Sequence, residues 1–304
     1  MRNMIRGIDK NITFRFFAVD TKEVVEQARV FHKTTPVASA ALGRALTATL
    51  MMGYALKNKE DKLTVKINGG GPLGNILVTA DSMGHVKGYV DNPQVDLDVT
   101  VTGKLDVGGA VGKMGFIQVI KDMGLKESYS GSSKLVSGEI GEDVAAYFYN
   151  SEQQPTVVGL GVLVDKDHSI KSAGGFLLQL MPGLNEDEIG AIETAIGKIE
   201  NVSSFFEKDQ DLEQIMNALL PDFELNITEK IFATYKCDCS FDRMREVLIS
   251  LGEKEIEDII LEDKKAEIHC HFCNKKYLFD EEDLKNILAI ITSDGQLNEM
   301  HDVL

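Results

Sequence analysis

CDCSFDRM, Cys237–Met244, and CHFC, Cys270–Cys273, together hold all four cysteines of a 304-residue chain. Thirty residues separate Cys239 from Cys270. A Cys-x-Cys pair and a Cys-x-x-Cys pair supply four soft thiolates, the donor set that tetrahedral zinc prefers. Between the pairs, Ser240 is placed to cap a helix through Phe241, Met244, Val247 and Leu248 to Gly252, and EKEIEDIILED follows as a second helix. AEIHCHFCNKKYLF, residues 266–279, then reads as a strand and turn presenting the second pair. A unit of roughly 50–60 residues is marginal on its apolar core alone. Zinc, at about 10–16 kcal/mol apparent, is enough to decide whether it folds. The expectation is a zinc-binding module over 236–304, holding one ion through Cys237, Cys239, Cys270 and Cys273.

Immediately upstream, 183–235 reads as a helical linker. Asn185 and Glu188 have cap spacing, Ile189, Ile192, Ile196 and Ile199 fall on one face, and Leu212, Ile215, Met216, Leu219 and Leu220 form a second apolar stripe. Short helices of this kind gain most of their stability from what they dock against. Residues 1–182 alternate strands and helices. LTVKIN (63–68) and VDLDVTV (95–101) alternate as half-buried strands, and TVVGLGVLVD and SIKSAGGFLLQLMPG extend the strand pattern to a boundary at MPG, 181–183. DTKEVVEQARVF, with Asp20 and Glu23 at capping-box spacing, and GEDVAAYFYNSEQQP, ended by Pro155, have helical period. The fold class expected is α+β, with mostly antiparallel sheets in the amino-terminal domain and a small α+β module at the end.

Composition excludes several functions. PVASAALGRALTATLMMGYAL, 36–56, is nearly long enough to span a bilayer, but Arg44 near its middle and its Ala, Ser and Thr content make it a buried core helix. The first residues, MRNMIRGIDKNITFRFF, interrupt their apolar positions with charge, so a cytoplasmic location is expected. Residues 1–180 hold 20 Lys and Arg against 19 Asp and Glu, whereas 181–304 hold 12 against 29. An acidic half of this kind repels phosphate backbones, and nucleic acid is not an expected partner. The glycine-rich NGGGPLGN, 68–75, lacks the Lys-Ser/Thr of a phosphate loop and reads as a turn between strands.

The cysteines admit other readings. Disulfide staples belong to exported proteins, and CHFC lacks the strand-helix setting of a thiol exchanger, but a permanent structural zinc knob remains open on spacing alone. His269 and His271 flank the second pair and are read as strand neighbours. Four cysteine ligands leave no open position for a catalytic water, so no enzyme activity is expected. Thiolates held by a metal are also the form that oxidants attack. Oxidation would remove the ligands, unfold the module, loosen the acidic helices and expose their apolar stripes, converting a sensor into an adhesive surface.

The run from Cys237 to Arg243, HCHFCNKKYLF (269–279), YFYNSEQQPT (147–156) and AGGFLLQLMPG (173–183) closely resemble the redox-regulated 33-kilodalton heat-shock chaperone family. The resemblance implies a cytoplasmic, ATP-independent holdase for unfolding client proteins under oxidative stress. Its reduced form would bind one structural and redox-switching zinc ion through Cys237, Cys239, Cys270 and Cys273 and be inactive. Oxidation would release zinc, join Cys237 to Cys239 and Cys270 to Cys273, unfold module and linker, and favour a homodimer. The alternative from another class is a constitutive zinc-stabilised protein-binding module, in which the metal stays bound under oxidant.

Overall fold

The computed structural model describes residues 3–101, 103–199, 201–207 and 210–301, with backbone alone over 294–301. It contains two compact units, Met1–Lys236 and Cys237–Leu304. In chain order the first holds β1 (Met4–Asp9), β2 (Phe14–Asp20), α1 (Lys22–His32), α2 (Pro36–Tyr54), β3 (Lys62–Asn68), β4 (Ile76–Asp81), β5 (His85–Val90), α3 (Val107–Val111), β6 (Phe116–Asp122), β7 (Tyr129–Lys134), α4 (Gly141–Glu152), β8 (Thr156–Val164) and β9 (Ile170–Leu180). It ends with α5 (Glu186–Gly197), a 3-10 turn (Val202–Glu207), α6 (Leu212–Leu219), β10 (Leu225–Ile231) and β11 (Thr234–Tyr235). The second unit holds α7 (Phe241–Ile249), α8 (Glu253–Glu262), β12 (Ala266–His269), β13 (Lys276–Phe279) and α9 (Glu281–His301).

Two sheets organise the first unit, in the orders β10-β1-β2-β9-β8 and β11-β5-β4-β3-β6-β7. All pairings are antiparallel except that of β11 with β5. The α+β class with mostly antiparallel sheets is therefore what the chain adopts. The apolar stretch beginning at Pro36 forms α2, in which every residue except Pro36 and Arg44 is buried. Its side chains share one core with Met4, Phe17 and Val19 of the first sheet and Leu63, Val65, Ile67 and Val119 of the second. Being apolar all round is what a helix between two sheets requires. Gly43 permits the closeness, since a Cβ there would lie 2.7 Å from Val25 Cγ1 and 2.9 Å from Val162 Cγ2. Among the described residues, no helix is long and apolar enough to cross a membrane.

The first sheet is apolar on both faces because its strands alternate between two cores. Opposite α2, Ile5, Phe14, Phe16, Ala18, Phe176 and Leu178 pack beneath Ile192, Ala195, Phe206, Leu212, Ile215, Met216, Leu219 and Leu220. These covering residues come from α5, the 3-10 turn and α6 and their flanks, so the stripes read from sequence are the underside of a lid over a sheet face. The Asn185–Glu188 cap is present reciprocally, with Glu188 N donating to Asn185 Oδ1 and Asn185 N to Glu188 Oε2, both at 2.9 Å.

Three local expectations are corrected. Residues 95–101 form no strand: Val95 and Leu97 lean on the core, but Val99 and Val101 are exposed and no neighbouring strand pairs with them. The cap of α1 is Thr21 and not Asp20, whose carboxylate instead accepts from Lys22 N at 2.9 Å. The segment 183–235 is not helical throughout, because it ends in β10 and β11. The glycine-rich NGGGPLGN does connect two strands, β3 and β4.

Candidate metal centre

Extended chain at Cys237–Cys239 runs into α7, whose cap is Ser240, its hydroxyl accepting from Arg243 N at 3.2 Å. The Arg243 guanidinium returns to the same stretch, donating to the Asp238 carbonyl at 3.0 Å and pairing with the Asp238 carboxylate. Helix start and Cys-x-Cys are thus fastened together. The second pair sits in the turn between β12 and β13. Cys270 N donates to Lys275 O at 3.0 Å, Asn274 N to Cys270 O at 2.8 Å and Cys273 N to Cys270 O at 3.3 Å. Asn274 holds the left-handed backbone conformation, φ 56°, that closes this turn and that asparagine tolerates better than most residues.

The four sulfurs lie within 4.8 Å of one another. Cys237 and Cys270 Sγ are 3.5 Å apart, and Cys239 and Cys273 Sγ 3.4 Å. Zinc bound to four thiolates at about 2.3 Å places its ligands about 3.8 Å apart, so this cluster is of the right size and chemistry to hold one metal ion. Cys270 is buried and the other three are half-buried. His269 is drawn away, its Nε2 lying 2.5 Å from Glu267 Oε1.

Electrostatics within the cluster favour the thiolate of Cys239 over those of Cys237 and Cys273. Burial pushes the Cys237 thiol up, with neighbouring thiols adding to the effect, and burial likewise raises Cys273 to about 11. Cys239 suffers burial too, yet moves down, because the Tyr277 hydroxyl and the other thiols donate hydrogen bonds to it. Tyr277 donates at 3.1 Å and its own hydroxyl is held well above the usual tyrosine range, first by that bond. Among Cys237, Cys239 and Cys273, Cys239 is thus the sulfur that gives up its proton most readily. Loading a cation must therefore expel protons from the others, which makes binding pH-dependent.

The sequence places Tyr277 only in a strand and does not disclose its role as donor to the Cys239 sulfur; its alternation within KKYLF shows inward direction but not a target. Tyr277→Phe removes that donor and raises the Cys239 pKa, so proton competition at this sulfur sets in at higher pH. The expected result is a roughly 10–100-fold weaker affinity for zinc in chelator competition, with the half-loading pH moved upward. Equal affinity and an unmoved pH midpoint would remove Tyr277 from the site.

Around the sulfurs the second unit buries little: Leu248, Ile256, Tyr277, Phe279, Leu284 and Ile287 with Cys270 itself. Phe241 stacks on Phe279 with ring centroids 4.3 Å apart. A core this small, built around a ligand cysteine, is typical of units whose folding is completed by a metal.

A two-sheet α+β unit followed by a small unit with a four-cysteine cluster that could hold a metal ion defines a modular protein. The model of the family described as Hsp33 protein matches residues 3–280, and the chain belongs to that chaperone family. It is 51% identical over 285 residues to the 33 kDa chaperonin of Alkaliphilus metalliredigens, covering 94% of this chain and 98% of the relative. Similarity to the 33 kDa chaperonin of Clostridioides difficile is 47% over 285 residues, with coverage of 94% and 98%. The crystal structure of the 33 kDa chaperonin (heat shock protein 33 homolog) from Thermotoga maritima matches at TM-score 0.88 and 35% identity, covering 96% of this chain and all of that one.

Proposed function

We propose that the protein is an oxidation-activated, ATP-independent holdase of the cytoplasm that binds unfolding client proteins and has no catalytic activity. In its reduced state Cys237, Cys239, Cys270 and Cys273 hold one zinc ion, and the linker helices stay docked. Each pair of thiolates gives two electrons to one peroxide, which takes up two protons and leaves as two waters, and each pair becomes a disulfide. The resemblance to the chaperone family implies that Cys237 joins Cys239 and Cys270 joins Cys273. Under that pairing the small core comes apart, releases the linker and favours association into a homodimer.

The observation that carries this reading is the covered sheet face, where Phe14, Phe16, Phe176 and Leu178 are buried beneath α5, the 3-10 turn, α6 and their flanks, with Leu225 and Ile227 of β10 beside them. Uncovering it creates an apolar patch of the kind that binds other apolar surfaces. The acidic charge of 181–304 keeps the opened form soluble and disfavours nucleic acid. The test follows light scattering of a heat-denaturing client mixed with reduced, zinc-loaded protein or with peroxide-treated, zinc-free protein. Suppression by the oxidised form alone is expected, with disulfides mapped as Cys237–Cys239 and Cys270–Cys273 by peptide mass. Equal behaviour of the two forms, with zinc retained under peroxide, would leave a constitutive zinc-stabilised binding module.

A further inference from the structure

The edge of the first sheet is closed by a strand from the linker. β10 lies antiparallel against β1, with Met4 opposite Ile231, Arg6 opposite Glu229 and Asp9 opposite Leu225. Lys10 N extends the ladder to Glu224 O at 2.9 Å. The register slips between Arg6 and Gly7, where Thr228 Oγ1 donates to the Arg6 carbonyl at 3.2 Å. Two ion pairs bracket the strand, Arg6 with Glu229 at 2.5 Å and Lys10 with Glu224 at 2.6 Å. Leu225 and Ile227 reach the core beneath the linker helices and Ile231 the core around α2, while Asn226, Thr228 and Lys230 face outward. Gly7 lets the strand approach closely, because a Cβ there would collide with the Asn226 carbonyl oxygen and the Phe16 ring.

Departure of β10 would leave β1 as an open edge, its amides and carbonyls unpaired beside the uncovered apolar face. We infer that an extended segment of the client takes the place of β10 on β1, paired antiparallel through the backbone, so that β10 is the resting occupant of a strand-addition site. This rests on the functional reading above and names how the client is gripped. Backbone pairing is indifferent to sequence, which suits a holdase for many clients, and side chains at alternate positions supply the preference. The slots of Leu225, Ile227 and Ile231 take apolar residues, and Arg6 and Lys10 favour acidic residues at the positions of Glu229 and Glu224. β10 ends six positions before Cys237, with only the two-residue β11 between them, so loss of order in the second unit has a short path to it along the chain.

The probe is a labelled peptide with the sequence of residues 224–232, ELNITEKIF, added to the full-length chain. It is expected to bind the oxidised, zinc-free protein but not the reduced, zinc-loaded one, and to displace a held client. A peptide with proline at the position of Asn226, the residue opposite Ile8 whose amide faces β1, cannot donate to the ladder there and is expected to bind at least about tenfold more weakly. In hydrogen exchange, the amides of Arg6, Ile8 and Lys10, which face β10, should lose protection on oxidation and regain it when client or peptide is added. Equal competition by both peptides, or β1 amides left unprotected while client is demonstrably held, would overturn strand addition and leave the holdase reading intact. An oxidised protein that holds no client at all would overturn that reading, and this one with it.

Discussion

Cys270→Ser is expected to melt the second unit and release the linker, while leaving β1–β9 of the first folded. Cys270 is both the most buried of the four sulfur residues, 6% exposed, and the residue whose backbone closes the turn between β12 and β13. The side chains buried around it form a core too small to supply more than about 3–5 kcal/mol by itself. A structural zinc site contributes on the order of 10–16 kcal/mol, so weakening it by one ligand removes most of the folding energy of the unit. Far-ultraviolet circular dichroism of reduced, zinc-supplemented protein should lose the helical signal of α7, α8 and α9, and zinc should be absent from the purified variant. Limited proteolysis should then cut beyond Gly183, in the linker and the second unit, and spare the strands before it. Full helicity with zinc retained would mean that three sulfurs suffice, and that loss of one pair need not open the module.

Ile215→Asp is expected to make the protein hold clients without any oxidant. Ile215 is 1% exposed in α6, an eight-residue helix that depends on docking for its stability. Truncating such a side chain costs about 2–5 kcal/mol, and an unpaired carboxylate in its place adds a desolvation penalty of several kcal/mol. Both exceed what a helix of two turns retains, so α6 leaves and the Phe14, Phe16 and Phe176 surface opens with the four sulfurs still reduced. The matching control is Asn217→Asp on the exposed side of α6, which should remain latent. Light scattering with a denaturing client reads the difference. A loosened α6, visible as new proteolytic cutting near residue 215, combined with no gain in client holding would separate the covered face from the client surface.

What the sequence disclosed was chemistry and strong periodicity. The cysteine quartet, the Asn185 cap, the apolar character of α2 and the stripe from Leu212 to Leu220 each follow from local pattern, and the structure puts the four sulfurs into one cluster. What stayed hidden depends on partners remote in sequence. Val95 to Val101 alternates as well as β3 does, yet no strand lies beside it, so alternation there only lets Val95 and Leu97 lean inward. LNITEKI also alternates and does become β10, because β1 waits more than two hundred residues away with an edge to fill. The hydroxyl of Tyr277 meets Cys239 across 38 positions, a contact that no spacing rule encodes.

The pairing of β1 with β10 also sets a timetable for synthesis. The first strand to leave the ribosome finds its outer neighbour only after Ile231 has emerged, so every new copy passes through a period with that edge bare and the lid helices not yet seated. Contacts of such long sequence separation close late and slowly. A growing copy therefore carries its apolar sheet face bare until residues 186–231 have been made, and the segment that seals that face is made before the four-cysteine unit that follows it.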